Sequence, residues 1–318
     1  MDAILKYSVI IPVYNRPNEL DELLNSLVQQ SKKYFEVIIV EDGSQITSRS
    51  VYEKYTTLLD LQYIYKANSG PGPSRNAGFE RASGQYFVVF DSDCILPANY
   101  FESVDTAMSI EQFDAWGGPD KGHPKFTSRQ QAMCCTMSMF LTTGGIRGKQ
   151  NVTEFQPRSF NMGFHRNVFE VTKGFNFDRQ AEDIELSIRI KQAGFKIKLI
   201  PEAFVFHKRR ETWSEFFRQV HGFGRGRVKV GRVHPNEIKL THWMPTIFLI
   251  AFLSLIPLII INIWLGRILA LLIIMYFVAV FFEGYVTTRS FKIAWHCIAS
   301  TFIQLTGYGL GFLREKLA

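Results

Sequence analysis

At 318 residues the chain is long enough to bury a sizeable core, as one large domain or two smaller ones. Its four cysteines, at 94, 134, 135 and 297, show no zinc-ligand spacing and read as reduced thiols packed in a core. The net charge of +7 is concentrated between residues 207 and 232, where eight Lys/Arg face two Glu; this strip runs straight into an apolar segment without base-reading modules, which excludes a nucleic-acid binder and favours a collar at an anionic membrane surface.

Tyr7 to Val13 reads as a strand ending at Tyr14, Asn15, Arg16 and Pro17. It lacks a basic start, and Pro12 breaks its apolar run, so no secretory signal is expected here. Leu20, Leu23, Leu24, Leu27 and Val28 share one face of a helix predicted over 19–30. Phe35 to Val40 is a second strand, followed by the acidic turn Glu41, Asp42, Gly43, Ser44. Strand, helix, strand is a βαβ unit and implies a parallel sheet. The glycines of 68–78 do not form a dinucleotide fingerprint, because Arg75 holds the third glycine position and prolines interrupt. A loop entering a helix near Ser74 is expected instead, with Arg75 adding charge for a diphosphate or contacting a base. Tyr86 to Phe90 is a buried strand, and Asp91 and Asp93 follow it directly. Carboxylates at the carboxyl end of a sheet strand suit a hard divalent cation, Mg²⁺ or Mn²⁺, that clamps a diphosphate.

Between 117 and 160 the pattern is weaker. A turn at Gly117 to Asp120 precedes an apolar helical stretch over 133–143, and Asn151 with Thr153 makes a glycosylation sequon without meaning in a cytosolic domain. Glu182 and Asp183 then open a helix that Gly194 stops, and a strand-like run over 198–206 leads to His207. Beyond His242 the composition turns apolar. Residues 244–264 and 268–286 each suffice to span a bilayer, with Asn262, Gly266 and Arg267 as the turn of a helical hairpin. A third span over 293–313 stays open against an interfacial or re-entrant helix.

Ser8 to Asn15, Val40 to Ser44, Ser74 to Gly78, Asp91 to Asp93 and Glu182-Asp183 occur in the order and rough spacing of family 2 glycosyltransferases, which the chain resembles over about residues 6–230. The first acid motif is Glu-Asp where that family more often has Asp-Asp, but Asp42 is kept. The resemblance implies an α/β GT-A fold: a Rossmann-like, mostly parallel sheet flanked by helices, here a catalytic domain over 1–232 before a membrane domain over 233–318. It implies that Pro12, Tyr14, Asn15 and Asp42 meet the base or ribose of a nucleotide-sugar donor, that Asp91 faces ribose or sugar, and that Asp93 holds the metal. His207 is a candidate to complete the metal shell or touch phosphate. Asp183 is the expected general base, with Glu182 positioning the acceptor or tuning its neighbour.

The expected activity is therefore inverting, metal-dependent transfer of one sugar to a lipid-linked or saccharide acceptor in surface polysaccharide biosynthesis. The expected location is the cytoplasmic membrane, multi-pass, with the catalytic domain facing the cytoplasm and no nucleic-acid partner. A polyprenyl-phosphate sugar synthase and a non-catalytic membrane subunit are the alternatives. Gln219 and Arg225 do not make the Gln-x-x-Arg-Trp motif of processive synthases, since residues 221–227 read His-Gly-Phe-Gly-Arg-Gly-Arg.

Overall fold

A computed structural model describes residues 6–123, 126–144, 155–208 and 210–318; the sequon of Asn151 and Thr153 and Arg209 of the basic strip lie outside these. The chain divides into two compact units, Met1–Lys121 with Gln150–Lys208, and Gly122–Lys149 with Arg209–Ala318. In chain order the first unit begins β1 (Tyr7–Val13), α1 (Pro17–Val28), β2 (Phe35–Asp42), α2 (Arg49–Tyr55), β3 (Leu61–Lys66), α3 (Pro71–Phe79) and β4 (Tyr86–Val89). It continues with β5 (Cys94–Ile95), α4 (Tyr100–Ile110), β6 (Ala115–Gly117) and β7 (Asp120–Lys121). The second unit then contributes α5 (Ser128–Thr136) and α6 (Phe140–Thr143). β8 (Met162–His165), α7 (Arg166–Thr172), α8 (Glu182–Gln192), β9 (Ile197–Leu199) and β10 (Val205–His207) complete the first unit. The second closes with α9 (Trp213–Val233), α10 (Met244–Ile261), α11 (Ile263–Thr288) and α12 (Phe291–Leu317).

The main sheet runs β3-β2-β1-β4-β8-β6-β9, and β5-β10-β7 form a smaller one. β3, β2, β1 and β4 are parallel, as the βαβ pattern predicts; β8 runs antiparallel between β4 and β6. Register carries the acids to one edge. Val13 lies opposite Glu41, and Ile10 lies opposite Val89, so Asn15, Asp42 and Asp91 all leave the same end of the sheet.

The central strands β1, β2 and β4 are mostly apolar because both faces of the sheet are covered. Val9, Ile11, Val37, Ile39 and Val88 pack on one face with Leu20, Leu23, Leu24 and Leu27 of α1 and Phe101 of α4. Ile10, Ile38, Val40, Phe87 and Val89 pack on the other with Phe79 of α3 and Leu186 and Ile190 of α8. This alternation is the strand's period of two. Gly163 of β8 is required by close approach: a Cβ there would sit 2.1 Å from the Trp116 ring.

In the second unit, α9 starts at a capping box between Thr212 and Glu215. Gly224 of α9 and Gly311 of α12 find their reason in the packing of these two helices. A Cβ on Gly224 would lie 2.1 Å from the Tyr308 carbonyl oxygen, and one on Gly311 would lie 2.1 Å from that of His221. Glu315 fastens the pair through Arg225 at 2.8 Å and Arg232 at 3.0 Å.

Among the described residues two helices are long and apolar enough to cross a membrane: Leu240–Ile261 and Ile263–Thr288, with mean hydropathy 2.6 and 2.5. The break between them is tighter than the predicted turn. Asn262 alone interrupts the backbone, its side chain accepting hydrogen bonds from the amides of Trp264 and Leu265, and Gly266 and Arg267 already lie in α11. The third segment, α12, is one continuous helix that is not apolar enough to join them, with small and polar residues such as Ser300, Thr301, Gly307 and Gly311 buried along it.

Candidate active site

The carboxyl edge of β1, β2 and β4, the helix α3, the start of α8 and the end of β10 supply every residue singled out from the sequence. At the end of β1, Pro12 lies opposite Val40 and Tyr14 is 49% exposed. Asn15 adopts φ 53°, and its side-chain oxygen accepts hydrogen bonds from the amides of Gln45 and Ile46 at 2.8 and 3.0 Å. It thereby joins the loops after β1 and β2.

Glu41 and Asp42 are both buried and play different parts. Glu41 accepts from the Ser48 amide at 2.7 Å and the Tyr63 hydroxyl at 3.0 Å, and also from Ser44. Asp42 accepts from Lys66 at 2.7 Å and from the amides of Ser69 and Gly70 at 2.9 and 2.8 Å. Burial alone would raise Asp42; these donors outweigh it and hold the carboxyl below its ordinary range. Asp42 thus anchors the loop between β3 and α3.

That loop differs from expectation. The helix begins at Pro71, not Ser74, and its first turn offers no free amide cradle for an anion. Pro71 and Pro73 carry no N–H, and the Gly72 amide donates to the Asp178 carbonyl at 3.0 Å. Arg75 turns inward, only 2% exposed, so its charge is not presented at the surface. It donates to Asp91 at 2.6 Å and to Glu182 at 2.9 Å, bridging the end of β4 to the start of α8. Burial works against this guanidinium, and Asp91 with Glu182 more than compensates, keeping its pKa above the ordinary value.

Glu182 and Asp183 occupy the first turn of α8, behind Ala181 at φ 59°. Burial, with the neighbouring Asp183 carboxylate, pushes the Glu182 carboxyl up against the pull of Arg75. Asp183 accepts from Arg158 at 3.0 Å and the Ser159 amide at 3.2 Å. The approach to this turn is held by Asn76 of α3, whose amide exchanges two hydrogen bonds of 2.8 Å with the backbone of Phe175.

Asp93 is 6% exposed and lies between Arg16 and His207, the latter with Nε2 at 3.1 Å. Burial disfavours the Arg16 charge, but Asp93 holds that guanidinium above its ordinary pKa. Pairing of β10 with β5 sets His207 opposite Cys94, and its ring stacks on Phe160 at 4.7 Å. Ligand atoms of Asp93, Cys94 and His207 lie within 4.8 Å of one another, and Nδ1 of His207 is buried without a partner. The Cys94 thiol donates to the Phe160 carbonyl at 3.4 Å and is a soft ligand, so a hard divalent cation would draw on the oxygen of Asp93 and the nitrogen of His207. That donor pair fits Mn²⁺ or Mg²⁺.

The fold therefore brings Asp91, Arg75 and Glu182 into one bonded chain, with Asp183 next in sequence held by Arg158 and the Ser159 amide, and joins Asp93 to His207, while Tyr14 and Asn15 stay on the neighbouring loop. Lys66 and Arg158 escaped the sequence reading, and Arg16 and Asn76 stood there only as members of a strand end and a motif. For the three cations the signal was that buried carboxylates require cationic partners; Asn76 serves the backbone of Phe175 instead. Asn161 is fully buried and bonded to Tyr100 and the Ala203 carbonyl.

Known proteins resemble this chain at two levels. Over 97 residues it is 38% identical to an uncharacterized glycosyltransferase of Rickettsia bellii (strain RML369-C), spanning 30% of this chain but only 14% of that protein's length. Glycosyltransferase AglE of Haloferax volcanii is 24% identical over 258 residues, 79% of this chain and 82% of that one. A solved structure, the mannosyltransferase PcManGT of Pyrobaculum calidifontis in complex with GDP-Man and Mn²⁺, superposes with TM-score 0.66 at 16% identity, over 96% of this chain and 88% of that one. S. aureus TarS 1-349 in complex with UDP-GlcNAc superposes with TM-score 0.52 at 22% identity, over 70% and 66%. Both likenesses establish the GT-A type of fold, a mixed sheet flanked by helices. Residues 159–283 match the model of Glycosyl transferase family group 2. Residues 8–171, just over half of the chain, match that of Glycosyl transferase family 2, and the chain belongs to this family.

Proposed function

We propose that the protein is an inverting, metal-dependent glycosyltransferase that moves one sugar from a nucleotide-sugar donor to a lipid-linked or saccharide acceptor in surface polysaccharide biosynthesis. The observation that carries this reading is the Arg75 bridge, which joins the Asp91 strand end to the Glu182-Asp183 turn at one sheet edge. Donor class and metal draw support from the solved relatives, one holding UDP-GlcNAc and the other GDP-Man with Mn²⁺. Two apolar helices, Leu240–Ile261 and Ile263–Thr288, support a multi-pass membrane location, and the basic strip over 207–232 that precedes them supports a catalytic domain on the cytoplasmic side.

In this mechanism Asp93 and His207 would hold the divalent cation. When bound, the cation offsets the negative charge that builds on the departing diphosphate. Tyr14 packs on the base, the region of Pro12, Asn15 and Asp42 shapes the nucleoside pocket, and Asp91 orients the donor sugar. Asp183 takes the proton of the acceptor hydroxyl as its oxygen bonds to the anomeric carbon and the bond to the diphosphate oxygen breaks. Arg158 and the Ser159 amide hold that carboxylate in place. Glu182, fixed by Arg75, sets the orientation of the turn.

The test is release of nucleoside diphosphate by detergent-solubilised protein across UDP-, GDP- and dTDP-sugars with Mn²⁺ or Mg²⁺. One donor is expected to be cleaved, chelator and Asp93→Ala abolish release, and Asp183→Asn lowers kcat by about 10²–10⁴-fold. Near-full activity of Asp183→Asn removes it as the base. If no donor is cleaved and calorimetry detects no nucleotide binding, the transferase assignment falls.

A further inference from the structure

Glu283 is the single acidic residue between positions 244 and 288 and lies five residues before the end of α11, whose other charged residue is Arg267. A carboxylate on such a helix is costly unless it is paired. Here both oxygens are used by α6. Oε1 accepts from the Phe140 amide at 2.6 Å, and Oε2 accepts from the Leu141 amide at 3.1 Å. Seven residues earlier, about 10 Å along α11, the Tyr276 hydroxyl donates to the Leu141 carbonyl at 3.1 Å. Met139 is buried against Val280, Ile293 and Cys297, and the hydroxyls of Thr136 and Ser300 meet at 2.7 Å. The end of α5 and all of α6 are thus lashed to α11 and α12.

The strap presents apolar side chains: Phe140 is 63% exposed and Leu141 37%, and Val278, Phe282 and Val286 on α11, the helix that holds Glu283, are exposed as well. No Lys, Arg, Asp or Glu occurs from Gln130 to Ile146. Short irregular backbone is tolerated at membrane depth only where its polar groups find partners. Glu283 and Tyr276 supply those partners to the first turn of α6.

We propose that α6 is a membrane-inserted strap: Phe140 and Leu141 contact bilayer lipid, and Glu283 anchors the segment at that depth. This inference rests on the reading that α10 and α11 cross the bilayer. It extends the lipid-facing surface to a segment that precedes residue 233 by about ninety positions, and it assigns a purpose to the acid inside α11.

The full chain, reconstituted in vesicles of phosphatidylethanolamine and phosphatidylglycerol carrying a tagged phospholipid, tests it. A benzophenone amino acid is placed at Phe140, at Leu271 on α11, or at Ile110 in the first unit, 78% exposed, and activated by light. Lipid labelling is expected at 140 and 271 and not at 110. Labelling at 271 without labelling at 140 overturns this inference and leaves the spans intact. Loss of labelling at both overturns the membrane reading and the strap together. Crosslinking of 140 to a second protein chain also overturns it. In the Glu283→Ala background, labelling at 140 is expected to be lost while labelling at 271 persists; retention at 140 removes the anchoring role of Glu283. Glu283→Gln, which keeps one acceptor oxygen, is expected to restore part of the labelling.

Discussion

Arg75 illustrates how a single residue organises this site. A guanidinium 2% exposed and bonded to two acids is stable only because each partner balances it. Removing it strands Glu182, also buried, whereas Asp91 is a third exposed and is screened by solvent. Arg75→Ala is therefore expected to cost up to about 3–5 kcal/mol, seen as a clear fall in Tm. An unchanged Tm would show that the bridge is not formed. Asp42 gives a prediction in pH. Its folded pKa is depressed, so its contribution is complete above its unfolded value of about 3.9 and is lost as pH falls through the folded one. The Tm gap between wild type and Asp42→Asn should be constant at neutral pH and narrow under acid; a gap that widens on acidification contradicts the assignment. The sequence made these residues visible as motif members. It did not reveal their partners, because Lys66 and Glu182 are recognisable only once the loops have closed.

At the level of elements, the period-two apolar runs of β1, β2 and β4 and the one-sided leucines of α1 were legible in the chain. Short elements were not. Residues 198–206, read as one strand-like run, form β9 and β10 in two different sheets, and the stretch over 133–143 splits into α5 and α6. Three-residue strands carry too little periodicity to be distinguished from loops. Glycines at crossing points were equally silent, since their function is to make room for a distant neighbour. Gly163→Ala places a methyl group 2.1 Å from the Trp116 ring and is expected to cost about 1–3 kcal/mol or more, read as a lower Tm and reduced yield of folded protein. Normal stability would mean that Trp116 has another rotamer available.

For the whole molecule, the apolar composition after His242 pointed to a hairpin, and the structure has two helices there that are long and apolar enough to cross a membrane, with 11% of the most apolar stretch of each buried inside the protein. The protein is expected to remain with membranes through alkaline carbonate washing and to need detergent for release. Release by carbonate alone would overturn the hairpin's membrane role. The division of the chain was less visible. Residues 122–149 group with the C-terminal helices, although in sequence they lie inside the stretch that forms the main sheet. Composition could not disclose this, since the segment's anchors, Glu283 and Ser300, come more than 140 residues later.

Local chemistry decided what the sequence alone could determine: the long strands β1, β2 and β4 and the long helices, the order of the acidic motifs at strand ends, and the two apolar segments. These depend on residues close along the chain, where side-chain periodicity and turn preferences act. Tertiary structure decided the rest. It joined Arg75 to an acid 107 residues away, set His207 against Asp93, closed the expected anion cradle with Asp178, and tied α6 to Glu283. The physical reason is that buried charges and backbone donors must be satisfied by whatever the packed fold brings near. Spacing along the chain carries no record of that choice.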